Sequence, residues 1–431
     1  MSSIIPVKEQ RLGNFFNQRQ APGSPDLPVM SVTMNDSLVL RESIERRLES
    51  ALRPDQHLLV KKGDIAYNMM RMWQGACGLA LTDGIVSPAY VVLEPKPGID
   101  SRFAYHWFKS ARMIHLFRAF SHGLTEDRLR LYFNNFCEIP AAPPSLSQQR
   151  LIADLLDAWD AAIDQTLRLV TASRARRSAL LRTIYGTARV TATMALPEGW
   201  GRERVGDICE FSSGLWEGTK PPLERVGVVR NTNFTEDGVL DDFDVASLEV
   251  EGKQLATRRL SIGDIILEKS GGGPDQPVGR VAMFDWSGGP YSFSNFTSVL
   301  RVRQPDRINN RYLHNFLHWV YLSGLTEVMQ SRSTGIRNLD GDYYKDILVP
   351  IAPMEKQLQI VSVMNAEQAS VGGLLEKVRL LRNQKRSLVH NLLVDQREIH
   401  QDFDSSNSIH GAAQLSHGSN GTLRTERRKQ P

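Results

Sequence analysis

The chain has 431 residues, 41% of them hydrophobic and 23% charged, with a formal net charge of +4. It is long enough for two cores of ordinary domain size. No run reaches the roughly eighteen apolar residues of a membrane span, and the N-terminus has no signal-peptide pattern. The three cysteines (Cys77, Cys137 and Cys209) are scattered and odd in number, which excludes a disulfide framework or a zinc site and suits a cytoplasmic protein.

In chain order, the first pattern is a mixed segment. "VKKGDIAYNM" from Val60 places apolar residues around Gly63-Asp64, as a hairpin entering a buried strand does. The loop after it holds Asn68, Arg71, Trp73 and Gln74. "IVSPAYVVLEP" from Ile85 reads as strand, and Phe103 to Phe120 as helix, with Arg102, Lys109, Arg112 and Arg118 on it. A loop at Gly123, then Arg128 and Arg130, leads to the exit "EIPAAP". A long amphipathic helix starts after Pro143 and Pro144.

The second segment opens with "LPEGWGRERVGDICEFSSG" from Leu196. "VVRNTNF" supplies Arg230, Asn231 and Asn233. "RLSIGDIILEK" repeats the Gly-Asp-Ile turn and strand at Gly263, Asp264 and Ile265. Its following loop carries Lys269, Ser270, Gln276 and Arg280 around three glycines, read as a turn because no Lys-Ser/Thr follows them. "YSFSNF" adds Ser294 and Asn295. A helical pattern runs from Arg311 to Met329, and Arg332 and Arg337 flank a loop at Gly335. "LVPIAP" then precedes a second long helix.

The two halves repeat. With an offset of 208 positions, Gln149 falls on Gln357, Ile152 on Ile360, Val170 on Val378 and Leu180 on Leu388, without a gap. Each long helix has a seam in steps of three and four: Ile152, Leu155, Trp159, Ile163, Thr166, Val170, Ser173, Arg177, Leu180 and Ile184, and Ile360, Val363, Glu367, Val371, Leu374, Val378, Leu381, Lys385, Leu388 and Leu392. That is close to the heptad period. The stronger second seam opposite the weaker first one predicts that the helices pair. Gly372 and Gly373 weaken the second helix by about 1 kcal/mol each and mark either a kink or a close approach.

The expected fold class is α+β, mixed, as a pseudo-twofold repeat of two α/β bodies with two long helices forming an antiparallel coiled coil. The partition is a first body over 1–144, a first long helix over 145–190, a second body over 196–352, a second long helix over 353–395 and a disordered Ser/His/Asn/Gly-rich tail over 396–431.

Arginines and lysines in these loops suit phosphate contacts, and Asn, Gln and Arg offer the paired donors and acceptors that read bases. The candidate DNA-binding set is Asn68, Arg71, Trp73, Gln74, Arg128, Arg230, Asn231, Asn233, Lys269, Ser270, Gln276, Arg280, Asn295, Arg332 and Arg337. A solvated helix face or loop is the competing account of each. A charge of +4 favours neither, because polyanion binding needs clustered charge.

This organisation resembles the specificity subunit of Type I restriction-modification systems. The resemblance rests on "PPSLSQQRLIADLLD" from Pro143 and "PMEKQLQIVSVMN" from Pro353, where Gln149, Ile152, Gln357 and Ile360 match the family's helix-start motif, and on the opening at Leu196. It covers about residues 8–395. The Glu that usually precedes the motif glutamine is Gln148 in one copy and Lys356 in the other. The resemblance implies that each body is a target recognition domain for double-stranded DNA and that the helices space the two. It also implies two modification (methyltransferase) subunits bringing S-adenosylmethionine, and restriction subunits using ATP and Mg2+. The chain itself would hold no cofactor and no active site. A helix stretch from Ile152 to Ile184 measures about 50 Å, or about 14 base pairs, so the expected target is bipartite with a fixed gap.

Two other classes compete. A self-contained nuclease or methyltransferase would need catalytic motifs. Only the loose sets Asp83, Glu94 and Lys96, and Asp242, Glu251 and Lys253, approach one, and no phosphate loop or metal-spaced His/Cys pair is present. A coiled-coil adaptor without DNA binding would leave the polar loops at matched positions unexplained.

Overall fold

The computed structural model describes residues 10–34, 37–43, 52–273, 276–333 and 336–394. The predicted tail and the Gly335 loop tip lie outside these residues. The chain divides into two compact units, 1–164 with 379–431, and 165–378. Each contains one mixed α/β body and parts of both long helices.

In the first unit, strands β1 (Phe16–Arg19), β2 (Ile65–Asn68), β3 (Cys77–Leu79) and β4 (Tyr90–Pro95) form an antiparallel sheet in the order β1-β4-β2-β3. Gly63 takes φ +93°, and the Asp64 carboxylate accepts the Lys61 N–H at 2.9 Å, which closes the turn into β2. Strand β2 is buried on both faces. Ile65 and Tyr67 join a core with Phe16, Leu93, Phe103 and Phe108, while Ala66 faces Val60, Val86 and Val92. Helices α1 (Ser101–Phe108) and α2 (Ala111–Ala119) cover the first core. The single helix expected from Phe103 to Phe120 is therefore two. The break falls at Ser110, whose hydroxyl caps α2 by accepting from the Met113 N–H. The long helix α3 (Leu146–Tyr185) begins in this unit.

The second unit repeats the framework. Strands β5 (Cys209–Ser213), β6 (Ile265–Glu268), β7 (Val281–Met283) and β8 (Thr297–Val302) pair antiparallel in the order β5-β8-β6-β7. Gly263 again has φ +93°, and Asp264 accepts the Ser261 N–H at 2.9 Å. Leu12 and Val205, at matched positions, donate to the Ile139 and Ile347 carbonyls at 2.9 Å each. An additional layer, Leu223–Val229 with Ala246–Glu251 and Tyr291–Phe293, enlarges this body. Helix α4 (Asn310–Leu322) packs on the core. The helical pattern to Met329 breaks at Gly324, φ +76°, and resumes as a 3-10 turn, Leu325–Met329. The second long helix, α5 (Met354–Val394), starts here.

In the first unit, Ile152 and Leu156 of α3 share a core with Leu388, Leu392 and Leu393 of α5, and Lys385 pairs with Asp160. In the second unit, Leu181 and Tyr185 share a core with Ile360 and Met364, and Arg176 pairs with Glu367. In both, the early part of one helix lies beside the late part of the other, an antiparallel pairing. The seam drifts from the expected one. Leu155 and Val363 are exposed, and Leu156 and Met364 are buried instead. Helix α5 runs unbroken through Gly372 and Gly373, where an added Cβ would meet nothing within 4 Å, so neither glycine serves a close approach. Among the described residues no helix is long and apolar enough to cross a membrane, and Cys77, Cys137 and Cys209 are free thiols.

Candidate nucleic-acid interface

Each candidate surface grows from the strand after the Gly-Asp turn. In the first unit, β2 ends at Asn68, whose side-chain oxygen accepts the Met70 N–H at 2.9 Å. A 3-10 turn, Met72–Gln74, returns the chain to β3. Arg71 is exposed and donates to Gln74 at 3.3 Å, a weak contact that leaves both polar heads at the surface. The Trp73 indole N–H is held by the Met70 carbonyl at 3.0 Å, and the Arg118 guanidinium lies 5.7 Å from its ring. The segment around His122–Arg130 joins this surface through the Leu131 N–H bond to the Met69 carbonyl, and it presents Arg128 and Arg130 to solvent.

The basic residues expected on the helix separate into two kinds. Arg102 binds Asp154 and Asp157, and Lys109 donates to the Met34 and Gly75 carbonyls, so both serve the framework. Arg118 pairs with Glu126. Arg112 is exposed.

In the second unit, four separate segments meet. Phe296 offers its carbonyl to the N–H groups of Lys269 and Ser270, and Lys269 offers its own to Leu339. Ser270 donates to Asn338 at 2.6 Å. Asn231 donates to Glu268 at 3.3 Å. Lys269, Ser270, Asn231, Asn295 and Arg337 thereby share one surface, with Gln276 exposed at its edge. Burial pushes the Lys269 ammonium pKa down, and among the described residues no carboxylate pairs with it. Gly271 takes φ +106°, and a Cβ there would lie 2.7 Å from the Asn231 amide. The glycine triplet is thus partly strand, Ser270–Gly272, rather than turn alone.

Two candidates have their polar groups committed inside the body. Asn233 is 2% exposed, accepts from the Arg230 N–H and donates to the Asp241 and Phe243 carbonyls. Arg280 grips the buried Glu268 through two bonds of 2.7 and 2.8 Å and also reaches the Asn231 and Phe234 carbonyls. Both donors of the Asn233 amide and four of the five N–H groups of Arg280 are taken inside the body, so both are corrected to scaffold residues. Arg230 is half-buried and bonded to Asp244. Arg332 lies in the strand Gln330–Ser333, and its side chain is outside the described set. Asn338 and the exposed Phe296 were not singled out from the sequence. Their signal would have been adjacency to Arg337 and Asn295.

The two acid-and-lysine sets are also dispersed. Glu94 takes Arg19, Lys96 donates to the Gly13 carbonyl and Asp83 accepts from the Lys62 N–H. Glu251 accepts from the Lys220 N–H. Among the described residues no group of three or more His, Cys, Asp or Glu could hold a metal ion.

Gln149 and Gln357 occupy matched places under these surfaces. Gln149 accepts the Asp100 N–H and donates to the Gly98 and Pro144 carbonyls. Gln357 accepts the Asn309 N–H and donates to the Arg307 and Ala352 carbonyls. Ile152 and Ile360 are buried one turn later.

Residues 197–370 match the family model described as the Type I restriction modification DNA specificity domain. The chain is 21% identical over 215 residues to the type I restriction enzyme MjaX specificity subunit of Methanocaldococcus jannaschii, covering 49% of each chain. It is 21% identical over 219 residues to the MjaVIII specificity subunit of the same organism, covering 49% of this chain and 46% of that one. It therefore spans about half the length of the curated relatives it matches. A solved structure from work on complex assembly and conformational transition of the type I R-M system matches with a TM-score of 0.53 and 16% identity, over 91% of this chain and 99% of that one. The S subunit from M. genitalium matches at 0.52 and 15%, over 91% and 98%. At these identities the likeness is one of fold. Residues 197–370 thus match the Type I restriction modification DNA specificity domain, and the framework built twice shares the fold of the solved S subunits.

Proposed function

We propose that the protein is the DNA sequence-reading subunit of a Type I restriction-modification complex. Each α/β body reads one half of a bipartite, gapped duplex target, and the long helices set the gap and dock two modification subunits. The observation that carries this reading is the contrast between framework and tips. The strand order, the Gly-Asp turns and the glutamine contacts recur in both units. The surfaces above the equivalent strands β2 and β6 do not: one is a 3-10 loop with Asn68, Arg71 and Gln74, the other a four-segment surface with Asn231, Lys269, Ser270 and Asn295. Two copies of one active site would need like tips; two unlike half-sites need unlike ones.

On this reading the chain performs no chemistry. S-adenosylmethionine belongs to the modification subunits, and ATP with Mg2+ to the restriction subunits. The proposed contacts are Asn68, Arg71, Gln74 and Arg128 in the first body. In the second they are Asn231, Lys269, Ser270, Gln276, Asn295 and Arg337.

The test is co-expression with a Type I modification (methyltransferase) subunit, followed by mapping of modified bases. One bipartite motif is expected, and deleting one heptad from both helices should change its gap while leaving the half-sites intact. A continuous palindrome, or no motif, would sink the reading. Binding that lacks any salt dependence with the modification subunit present would favour an adaptor.

A further inference from the structure

The internal repeat aligns two polar clusters that differ in one respect. In the first unit three carboxylates on α3 face cations: Asp154 and Asp157 take Arg102, Asp157 also takes His106, and Asp160 takes Lys385. Shifted by 208 positions, these acids become Ser362, Asn365 and Gln368, while Lys385 corresponds to Arg177. Counted from the helix caps Asp100 and Asn309, Arg102 corresponds to Arg311 and His106 to Asn315. The second unit keeps the two permanent cations, as Arg311 and Arg177, has the amide Asn315 in place of His106, and lacks all three carboxylates.

What results is a cleft of about 410 Å³ within the second unit, lined by Arg177, Arg311, His314, Asn315, Asn365 and Gln368 among others, with one carboxylate, Asp285, at its wall beside Arg311. Arg177 is 5% exposed, His314 4% and Asn315 5%. Arg177 Nη1 donates to the Asp237 carbonyl at 2.9 Å. Nη1 also lies 3.4 Å from His318 Nε2. Among the described residues the Arg177 Nε has no partner, and neither do His314 Nε2, Asn315 Nδ2 and Gln368 Oε1. Nearby carboxylates are already engaged: Asp237 chelates Arg174, Glu367 takes Arg176 and Asp285 takes Arg311. Asp237 and Glu367 act on the Arg177 charge only from a distance, since both carboxylates are bonded to other arginines. A guanidinium at this depth with no carboxylate bonded to it, beside several unmet polar atoms, is strongly disfavoured unless something polar completes it.

We propose that this cleft binds a small oxyanion of the phosphate class. Its oxygens accept from Arg177 Nε and Asn315 Nδ2, and its hydroxyl donates to Gln368 Oε1. The anion takes the place of the carboxylates that the first unit carries covalently.

The experiment titrates inorganic phosphate against chloride at constant ionic strength, with the full chain, by calorimetry and thermal melting. The wild type should bind one phosphate per chain, and its melting temperature should rise by about 5 °C at a hundredfold excess over Kd. N365D/Q368E returns two carboxylates to the cleft. It should melt higher than wild type in phosphate-free buffer and lose the phosphate response. R177M should lose that response too. A random-sequence duplex displaces phosphate if the natural oxyanion is a nucleic-acid backbone and leaves it bound if the ligand is a free anion; either result keeps the site. No phosphate response in the wild type, or an equal one in N365D/Q368E, overturns the proposal and makes the cleft a hydrated void.

Discussion

The side-chain oxygen of Gln149 accepts the backbone N–H of Asp100 at 2.8 Å, and Asp100 in turn caps α1 with its carboxylate. Gln357 and Asn309 repeat this at 2.9 Å in the second unit. The same glutamine in each half thereby ties the first turn of a long helix to the start of a body helix and to the proline exit. Gln149 is 1% exposed and Gln357 0%, so bulk solvent does not reach the groups they bond. Q149A and Q357A should each cost about 3 kcal/mol, since each leaves buried donors and acceptors unmet. Urea denaturation measures this; a loss below about 0.5 kcal/mol would show that the glutamines hold nothing.

The Glu268–Arg280 pair lies under the second surface, with side-chain exposures of 1% and 12%. R280M strands a buried carboxylate and should cost about 3–5 kcal/mol, whereas E268L/R280M should recover most of that. The same denaturation series decides it. If the double variant is no better than the single one, Arg280 acts through its bonds to the Asn231 and Phe234 carbonyls instead.

Base-reading and phosphate-holding residues should separate by their symptoms. N68A/Q74A should relax preference at one half-site by about 1–3 kcal/mol per lost base contact and leave the other half-site alone. R128A should weaken binding to all sequences alike and lower the salt slope by about one. Competition binding against a randomised duplex pool distinguishes the two patterns. A uniform loss in N68A/Q74A would remove those residues from base reading.

Burial, with the Arg177 charge adding to it, pushes the His314 pKa down to about 3, and the His318 pKa is lowered by the same two causes. Both are neutral when folded and titrate near pH 6.5 when unfolded. The stability they confer is therefore complete above pH 6.5 and drains as pH falls toward 3, by at most about 1.4 kcal/mol per pH unit for each. Urea midpoints between pH 7 and 4.5 should fall accordingly, and H314Q should flatten the slope. An unchanged slope in H314Q would assign the acid sensitivity elsewhere.

The repeat, the Gly-Asp turns and the motif glutamines were legible in the sequence because they use residues with few physical roles: a glycine at positive φ, an aspartate closing a turn, an amide at a helix start. Side-chain direction was not legible. Asn233 and Asn231 are two residues apart and look alike in the sequence, yet one is folded inward to hold Asp241 and Phe243 and the other lies at the surface. Arg280 is indistinguishable by type from Arg128, and only the tertiary pairing with Glu268 sets it apart. The seam moved from Leu155 to Leu156, and from Val363 to Met364, because those turns pack into the α/β cores as well as onto the opposite helix. The breaks at Ser110 and Gly324 interrupt apolar periodicity that runs straight through them.

The first core is closed by Leu388, Val389, Leu392 and Leu393, which stand near the end of the described chain, whereas the second unit is one uninterrupted stretch, 165–378. On the ribosome the order of completion is therefore the reverse of the order of synthesis. The unit made second has all its residues as soon as position 378 is added, while the unit begun first must wait, with an unfinished hydrophobic face, for the last turns of α5. A chain stopped after Val378 would hold every residue of the second unit and leave the first core without Leu388, Val389, Leu392 and Leu393.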